Sequence, residues 1–157
     1  MNGTIPKILR EPSFPEDVAW RRHHLEANQV ILREGEEGSS LFFIEEGRLR
    51  VTGKVELEAG RQVRPGICDL QAGDVFGELC LFGRRMRTAT VAAITEARVV
   101  EIDGELLDRF LETNPELGYR LLRELFATLA DRLGRTDRQM ENLLAWGLKA
   151  HGIERHL

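Results

Sequence analysis

A chain of 157 residues, 42% hydrophobic and 31% charged, is long enough for one buried core and too apolar for a disordered polymer. Its formal net charge of −4, with acids and bases interspersed, excludes a surface of clustered lysines and arginines built for nucleic acid. Two cysteines, Cys68 and Cys80, without metal-ligand spacing exclude a disulfide framework and a zinc site.

The first ten residues lack the apolar core of a signal peptide, and no run approaches the roughly 18 apolar residues of a membrane span. A cytoplasmic protein with no membrane partner is expected. Pro6, Pro12 and Pro15 predict an extended arm over the first fifteen residues. Residues 15–20, entered through Ser13 and Phe14 with acids in the first turn, predict a short helix, which places arm and helix together in residues 1–24.

From Gln29 to Ile102 short apolar or alternating runs are punctuated by glycine. Strands are predicted over residues 30–32, 41–44, 48–51, 55–57, 88–93 and 98–102. The turn signals Gly35 to Gly38, Glu46-Gly47, Pro65-Gly66 and Gly73-Asp74 recur at the spacing of a sandwich, barrel or jelly roll, with no helix of ordinary length between them. The tract from Glu56 to Gly66, with Glu58, Arg61 and Arg64, reads as a polar hairpin connection.

After Ile102 the period becomes helical. Asp103 is placed to cap a helix carrying Leu106, Leu107, Phe110 and Leu111, and Asn114-Pro115 both ends it and opens the next, with Asn114 as N-cap. Leu122, Phe126, Leu129, Leu133, Thr136, Met140 and Leu143 then follow in alternating steps of four and three. That is the seam of a coiled coil sustained over about three heptads, and it predicts a homodimer; the alternative is a helix folded back on its own β domain. Thr136 fits the seam as a polar position that sets register.

The densest chemistry lies in Phe76-Gly77-Glu78-Leu79-Cys80-Leu81-Phe82, Gly83-Arg84-Arg85-Met86 and Arg87-Thr88-Ala89-Thr90-Val91. A glycine turn leading into a short helical segment aims backbone N–H groups at an anion, and Arg87 supplies a guanidinium fork for two phosphate oxygens. Glu78, in the same cavity, suits a sugar hydroxyl and repels ligands of higher negative charge. The pair predicts a singly charged phosphodiester with a free hydroxyl nearby, and the small Ala89 allows close approach of the strand. Cys80 reads as a small buried filler. His23, His24, His151 and His156 all lie outside residues 29–102, so the converging ligands of a cupin-like metal enzyme are not expected, nor is a metal.

Gly35-Glu36-Glu37-Gly38, Ile44-Glu45-Glu46-Gly47, Gly73 to Leu79 and Arg87 to Val91 together resemble the successive signatures of the cyclic-nucleotide-binding domain family, over about residues 25–143. The resemblance implies a mainly β fold, a double-stranded β-helix or cupin-like jelly roll over residues 25–114, with flanking helices and a long C-terminal dimerisation helix and tail over 115–157. It places Glu78 on the ribose 2′-hydroxyl, and Arg87 with the backbone near Leu79, Cys80 and Ala89 on the cyclic phosphate. Phe76, Gly77 and Thr88 complete the cassette. Leu133 to Asp137 is similar to the part of the family's dimer helix where a threonine, and the next residue of the partner chain, reach the adenine amino group; Thr136 and Asp137 fall on those positions. The implied ligand is cAMP, with cGMP open, since Thr88 decides nothing and the Thr136 hydroxyl can serve either base. Met86 stands where many members have proline, and Arg84 and Arg85 add charge that would loosen the turn. Only residues 145–157 follow the seam, too few for the winged helix-turn-helix of the family's transcription factors, so no specific DNA partner and no reaction are expected. The signal would pass to an effector protein through the helices. A ligand-free dimeric interaction module and a cupin-like metal enzyme are the rival readings.

Overall fold

Twelve short strands form two four-stranded antiparallel sheets and two short ribbons among the described residues, which in this computed structural model are 3–57, 60, 62–63 and 66–152. The strands are β1 Trp20–Leu25, β2 Val30–Leu32, β3 Glu37–Gly38, β4 Ser40–Glu46, β5 Arg48–Thr52, β6 Val55–Glu56, β7 Gln62–Val63, β8 Gly66–Gln71, β9 Val75–Phe76, β10 Arg85–Met86, β11 Thr90–Ala93 and β12 Ala97–Asp103. One sheet runs β1-β12-β4-β9 and the other β2-β11-β5-β8; β10 pairs with β3, and β6 with β7. Leu25, Leu32, Phe42, Ile44, Leu49, Leu70, Phe76, Val91 and Val99 form the core cluster. In the first sheet Leu41, Phe43, Val100 and Ile102 are buried as well, which accounts for the unbroken apolar run from Leu41 to Ile44 in a sheet covered on both faces.

The helices are α1 Thr4–Ile8, α2 Gly104–Thr113 and α3 Pro115–His151. The chain divides into two units, Met1–Tyr119 and Arg120–Leu157; the described part of the second is helical up to His151.

The amino end departs from expectation. Residues 4–8 are helical rather than extended, because Pro6 falls in the first turn, where its missing N–H costs no hydrogen bond. Residues 15–19 form a turn instead of a helix: Asp17 takes a φ of 64°, and the Ala19 N–H returns to the Pro15 carbonyl at 2.9 Å. Trp20 then opens β1, which pairs with β12 from Trp20↔Ile102 to Leu25↔Ala97, so the β unit begins ahead of residue 25. The indole N–H of Trp20 donates to the Phe14 carbonyl at 3.0 Å and the ring is buried. Glu45, its side chain 13% exposed, accepts from Arg22 at 2.8 Å and from Arg98 at 2.7 Å, clamping β1, β12 and β4 together. The Arg22 hydrogen bond holds the Glu45 carboxyl below the usual carboxylate range; burial works against it, and Arg98 adds to it.

At the other end of the unit, the Asp103 carboxylate accepts from the Leu106 N–H at 2.9 Å and caps α2. The Asn114 side-chain amide donates back to the Phe110 carbonyl at 2.9 Å, while its backbone carbonyl accepts from the Gly118 N–H at 3.0 Å and opens α3. β11 starts at Thr90 rather than 88, since Arg87 to Ala89 belong to the exit from the cassette. Glu58, Arg61, Arg64, Pro65 and residues 153–157, His156 among them, lie outside the described residues.

Candidate functional site

β9 delivers the chain into the cassette. Phe76, opposite Phe42 in register, is buried with its ring stacked on Phe42 at 4.9 Å, so its side chain serves the core and not a ligand. Gly77 follows at a φ of 71°, the left-handed conformation in which glycine carries no steric penalty, and opens the 3-10 turn Glu78–Cys80. A Cβ on Gly77 would lie 3.0 Å from Arg87 Nη1 and 3.2 Å from the Ser40 carbonyl, so the position requires glycine on both counts.

Arg87 enters from the other side. The ribbon of β10 and β3 pairs Arg85 with Gly38 and Met86 with Glu37. Beyond it the Arg87 N–H donates to the Glu36 carbonyl at 2.7 Å, and the Arg87 carbonyl accepts from the Gly35 N–H at 2.9 Å. The turn from Gly35 to Gly38 therefore locks the arginine backbone. Met86, in place of proline, pairs with Glu37 in the ribbon, and the Arg84 side chain is ion-paired with the Glu37 carboxylate at 3.1 Å.

The half-buried guanidinium of Arg87 is seated by neutral groups. Nη2 donates to the Ser40 carbonyl at 2.8 Å, Nη1 to Cys80 Sγ at 3.0 Å, and Cζ lies 5.6 Å from the Phe42 ring centroid. Gly38 packs flat beneath it, for a Cβ there would stand 2.4 Å from Nη2. Arg22, Arg48, Arg50, Arg84, Arg98 and Arg109 are ion-paired, whereas among the described residues Arg87 has no carboxylate partner. No carboxylate among the described residues is ion-paired with it, so among these groups an anion meets it without an ion pair having to break first. A cavity of about 310 Å³ adjoins it, lined among others by Arg33, Arg84, Glu36, Glu37 and Glu101.

Of the remaining predicted residues, Glu78 is half-buried at the start of the 3-10 turn and Leu79 is exposed. Cys80 is buried, and its N–H donates to the Gly77 carbonyl at 3.1 Å. That backbone donor is committed to the turn and is not offered to a phosphate; what Cys80 contributes is its sulfur, against Arg87. Thr88 is exposed and Ala89 half-buried, and the Thr90 hydroxyl after them accepts from the Glu34 N–H at 3.1 Å. Thr136 and Asp137 lie in the second unit at exposed positions of α3, where the Thr136 hydroxyl donates to the Arg132 carbonyl at 2.9 Å. Sequence reasoning missed Gly38, Ser40 and Phe42 as the seat of Arg87. The one local signal was the second glycine of Gly35-Glu36-Glu37-Gly38, a turn and family signature to which no part in the site was assigned. Among the described residues no three histidines, cysteines or acids are placed to hold a metal ion, and no helix is long and apolar enough to cross a membrane.

The family model described as cyclic nucleotide-binding domain matches residues 22–114, which include the whole cassette. The chain belongs to this family. The CRP-like cAMP-activated global transcriptional regulator of Mycobacterium tuberculosis is 33% identical to the domain over 146 residues, 90% of this chain and 55% of that protein. The potassium/sodium hyperpolarization-activated cyclic nucleotide-gated channel 2 of Mus musculus is 36% identical over 115 residues, 73% of this chain and 12% of that one. Among solved structures, the N-terminal domain of a transcriptional regulator from Streptomyces coelicolor aligns with a TM-score of 0.56 at 26% identity, over 83% of this chain and 92% of that one. The domain thus spans about half the length of the mycobacterial relative. It is a mainly β cyclic-nucleotide-binding regulatory domain, similar to those of regulators and channels.

Proposed function

We propose that the domain binds cAMP in preference to cGMP at the cassette from Gly77 to Ala89, and that two copies paired along α3 pass occupancy to an effector protein without catalysing a reaction or reading a DNA sequence. The observation that carries the reading is the Arg87 guanidinium, half-buried, seated by a carbonyl, a sulfur and a ring, and without a carboxylate partner among the described residues. It is fit to take two oxygens of a cyclic phosphate. Glu78 is assigned to the ribose 2′-hydroxyl, and Thr136 with Asp137 to the base. Pairing along α3 is favoured by the apolar side chains at seam positions in the second unit, with Phe126 75%, Leu133 63% and Leu143 70% exposed. For occupancy to act as a signal, the nucleotide must bind one helix arrangement better than another by about 1–3 kcal/mol.

The test is calorimetric titration of the chain and of Arg87→Ala with cAMP and cGMP. The chain should bind both, cAMP more tightly. Arg87→Ala should weaken binding about tenfold or more with the fold intact, because a charge-assisted hydrogen bond to the ligand is worth roughly 1.5–3 kcal/mol. No heat with either nucleotide would leave the ligand-free interaction module as the better reading.

A further inference from the structure

Arg87 is joined to a histidine that lies outside the cassette. In β1, His23 Nε2 stands 2.7 Å from Glu101 Oε2 of β12. The other carboxylate oxygen, Oε1, accepts from the Ser40 hydroxyl at 2.9 Å, and the carbonyl of that same Ser40 is the 2.8 Å acceptor of Arg87 Nη2. Sheet register makes this possible. Val99 is opposite His23, and Asp103 is opposite Ser40, so both residues reach Glu101 diagonally from the strands on either side of it. Glu101 also lines the cavity that adjoins Arg87.

We propose that His23, Glu101 and Ser40 form a proton-linked support for Arg87, in which protonation of His23 strengthens the binding of an anionic ligand at the cassette. This rests on the reading of Arg87 as the anion-binding group. With His23 neutral, Glu101 presents to the cavity it shares with Arg87 a negative charge that no other described residue ion-pairs, and it opposes an arriving phosphate. With His23 protonated, the carboxylate is paired, and the field at Arg87 becomes more positive while the Ser40 bridge stays in place.

The charged surroundings are few. In β12, which packs against β1, Glu101 faces His23, while Arg98 is engaged by Glu45 and Glu46 together with Arg22 on the opposite face. From its own strand Arg21 shares the face, opposite Glu101 in register. Across the cavity stand Arg33, Glu36, Glu37 and Arg84, the last two paired with each other. Guanidinium and carboxylate groups ordinarily hold their charge across neutral pH, and imidazole is the side chain that ordinarily changes it between pH 5 and 8. Proton and anion therefore favour each other's binding, so affinity is highest at the acidic end of that range and falls as pH rises through it.

The experiment is titration of the chain with cAMP between about pH 6 and pH 8, in buffers of different ionisation enthalpy, with the Arg87 Nε–Hε resonance followed by NMR in the protein without nucleotide. The dissociation constant should rise roughly three- to tenfold across the range, the order of magnitude expected when one unit charge changes beside a partly screened site. Binding should take up part of a proton, and the resonance should move with the same midpoint. His23→Gln, which still donates to Glu101 but does not titrate, should remove slope, uptake and resonance shift together. Glu101→Gln should bind at the alkaline end as tightly as the native chain does at the acidic end. His24→Gln, on the opposite face, should keep the native slope. A native chain that binds with no pH slope, or a slope retained in His23→Gln, overturns the proton link and leaves the ligand reading standing. If no nucleotide binds at any pH, the ligand reading fails and the resonance decides alone: movement abolished by His23→Gln upholds the coupling to Arg87, and a resonance that stays fixed overturns it.

Discussion

Replacing Gly38 by alanine separates the seat of Arg87 from the fold that carries it. The added Cβ would stand 2.4 Å from Nη2, 2.6 Å from Nε and 2.7 Å from Cζ, all in the guanidinium of Arg87. Ordinary contacts to carbon begin near ~3.5 Å, so the guanidinium must retreat by about 1 Å, which carries Nη2 out of hydrogen-bond reach of the Ser40 carbonyl. Gly38 has no positive φ, and what it meets is the far end of a flexible side chain, so the sheet keeps its register and the melting temperature should fall by little. The ligand bears the cost. Misplacing one charge-assisted contact is worth about 1.5–3 kcal/mol, or roughly a ten- to hundredfold weaker dissociation constant for cAMP. Gly73→Ala is the converse control. Gly73 has a φ of 94° and nothing within 4 Å of its would-be Cβ, so alanine there should cost about 1 kcal/mol of stability and leave affinity unchanged. Calorimetry and thermal melts on the two variants give the comparison. Native affinity in Gly38→Ala would refute the argument that this guanidinium, held in this place, receives the phosphate.

Three further outcomes are expected. A 2′-deoxy cyclic nucleotide should bind the native chain about 1 kcal/mol worse than its parent, and Glu78→Gln should shrink that gap; equal binding of the two by the native chain would take Glu78 out of the site. Glu45→Gln removes the charge from three hydrogen bonds, two from Arg22 and one from Arg98, and should destabilise the fold by about 1–3 kcal/mol near neutral pH in urea unfolding. Because the folded state holds the Glu45 carboxyl below its unfolded value, that contribution is present above the unfolded pKa and disappears as pH falls through the folded one, so native and variant stabilities should converge in acid. Leu133→Glu should sediment as a monomer, since it buries a charge in the proposed seam, whereas Thr136→Val should preserve the dimer and shift the ratio of cAMP to cGMP affinity; a dimer indifferent to Leu133→Glu would argue against pairing along this face.

What was legible in the sequence was what neighbours in the chain decide. The cap of α2 by Asp103, the helix break at Asn114-Pro115, the glycine-led turn at Gly77 and the nine-residue step from Glu78 to Arg87 all rest on local chemistry, and the structure has the corresponding turns and helices there. β1 was missed for a physical reason. Its buried residues, Trp20 and Leu25, sit at its two ends, and of the four polar residues between them Arg22 and His23 are satisfied by Glu45 and Glu101, tens of positions away. The seat of Arg87 was hidden in the same way: its carbonyl acceptor lies 47 residues earlier, and no period or spacing rule links the two. In α1, proline was read as a breaker when its place within the first turn made it harmless.

β1 ends its sheet, and from Arg21 to His24 it carries four consecutive basic or imidazole side chains. An outermost strand is a template on which another chain can add, and aggregation commonly starts there. Here a second copy laid edge to edge would bring two runs of Arg21, Arg22, His23 and His24 side by side in one ribbon. Arg22 and His23 have acidic partners within their own sheet, but the newcomer brings none to the junction, and like charges across adjacent strands repel. The same side chains that lace β1 to its neighbours thus make its free side a poor surface for self-association, and steer copies of the chain away from growing into an extended sheet.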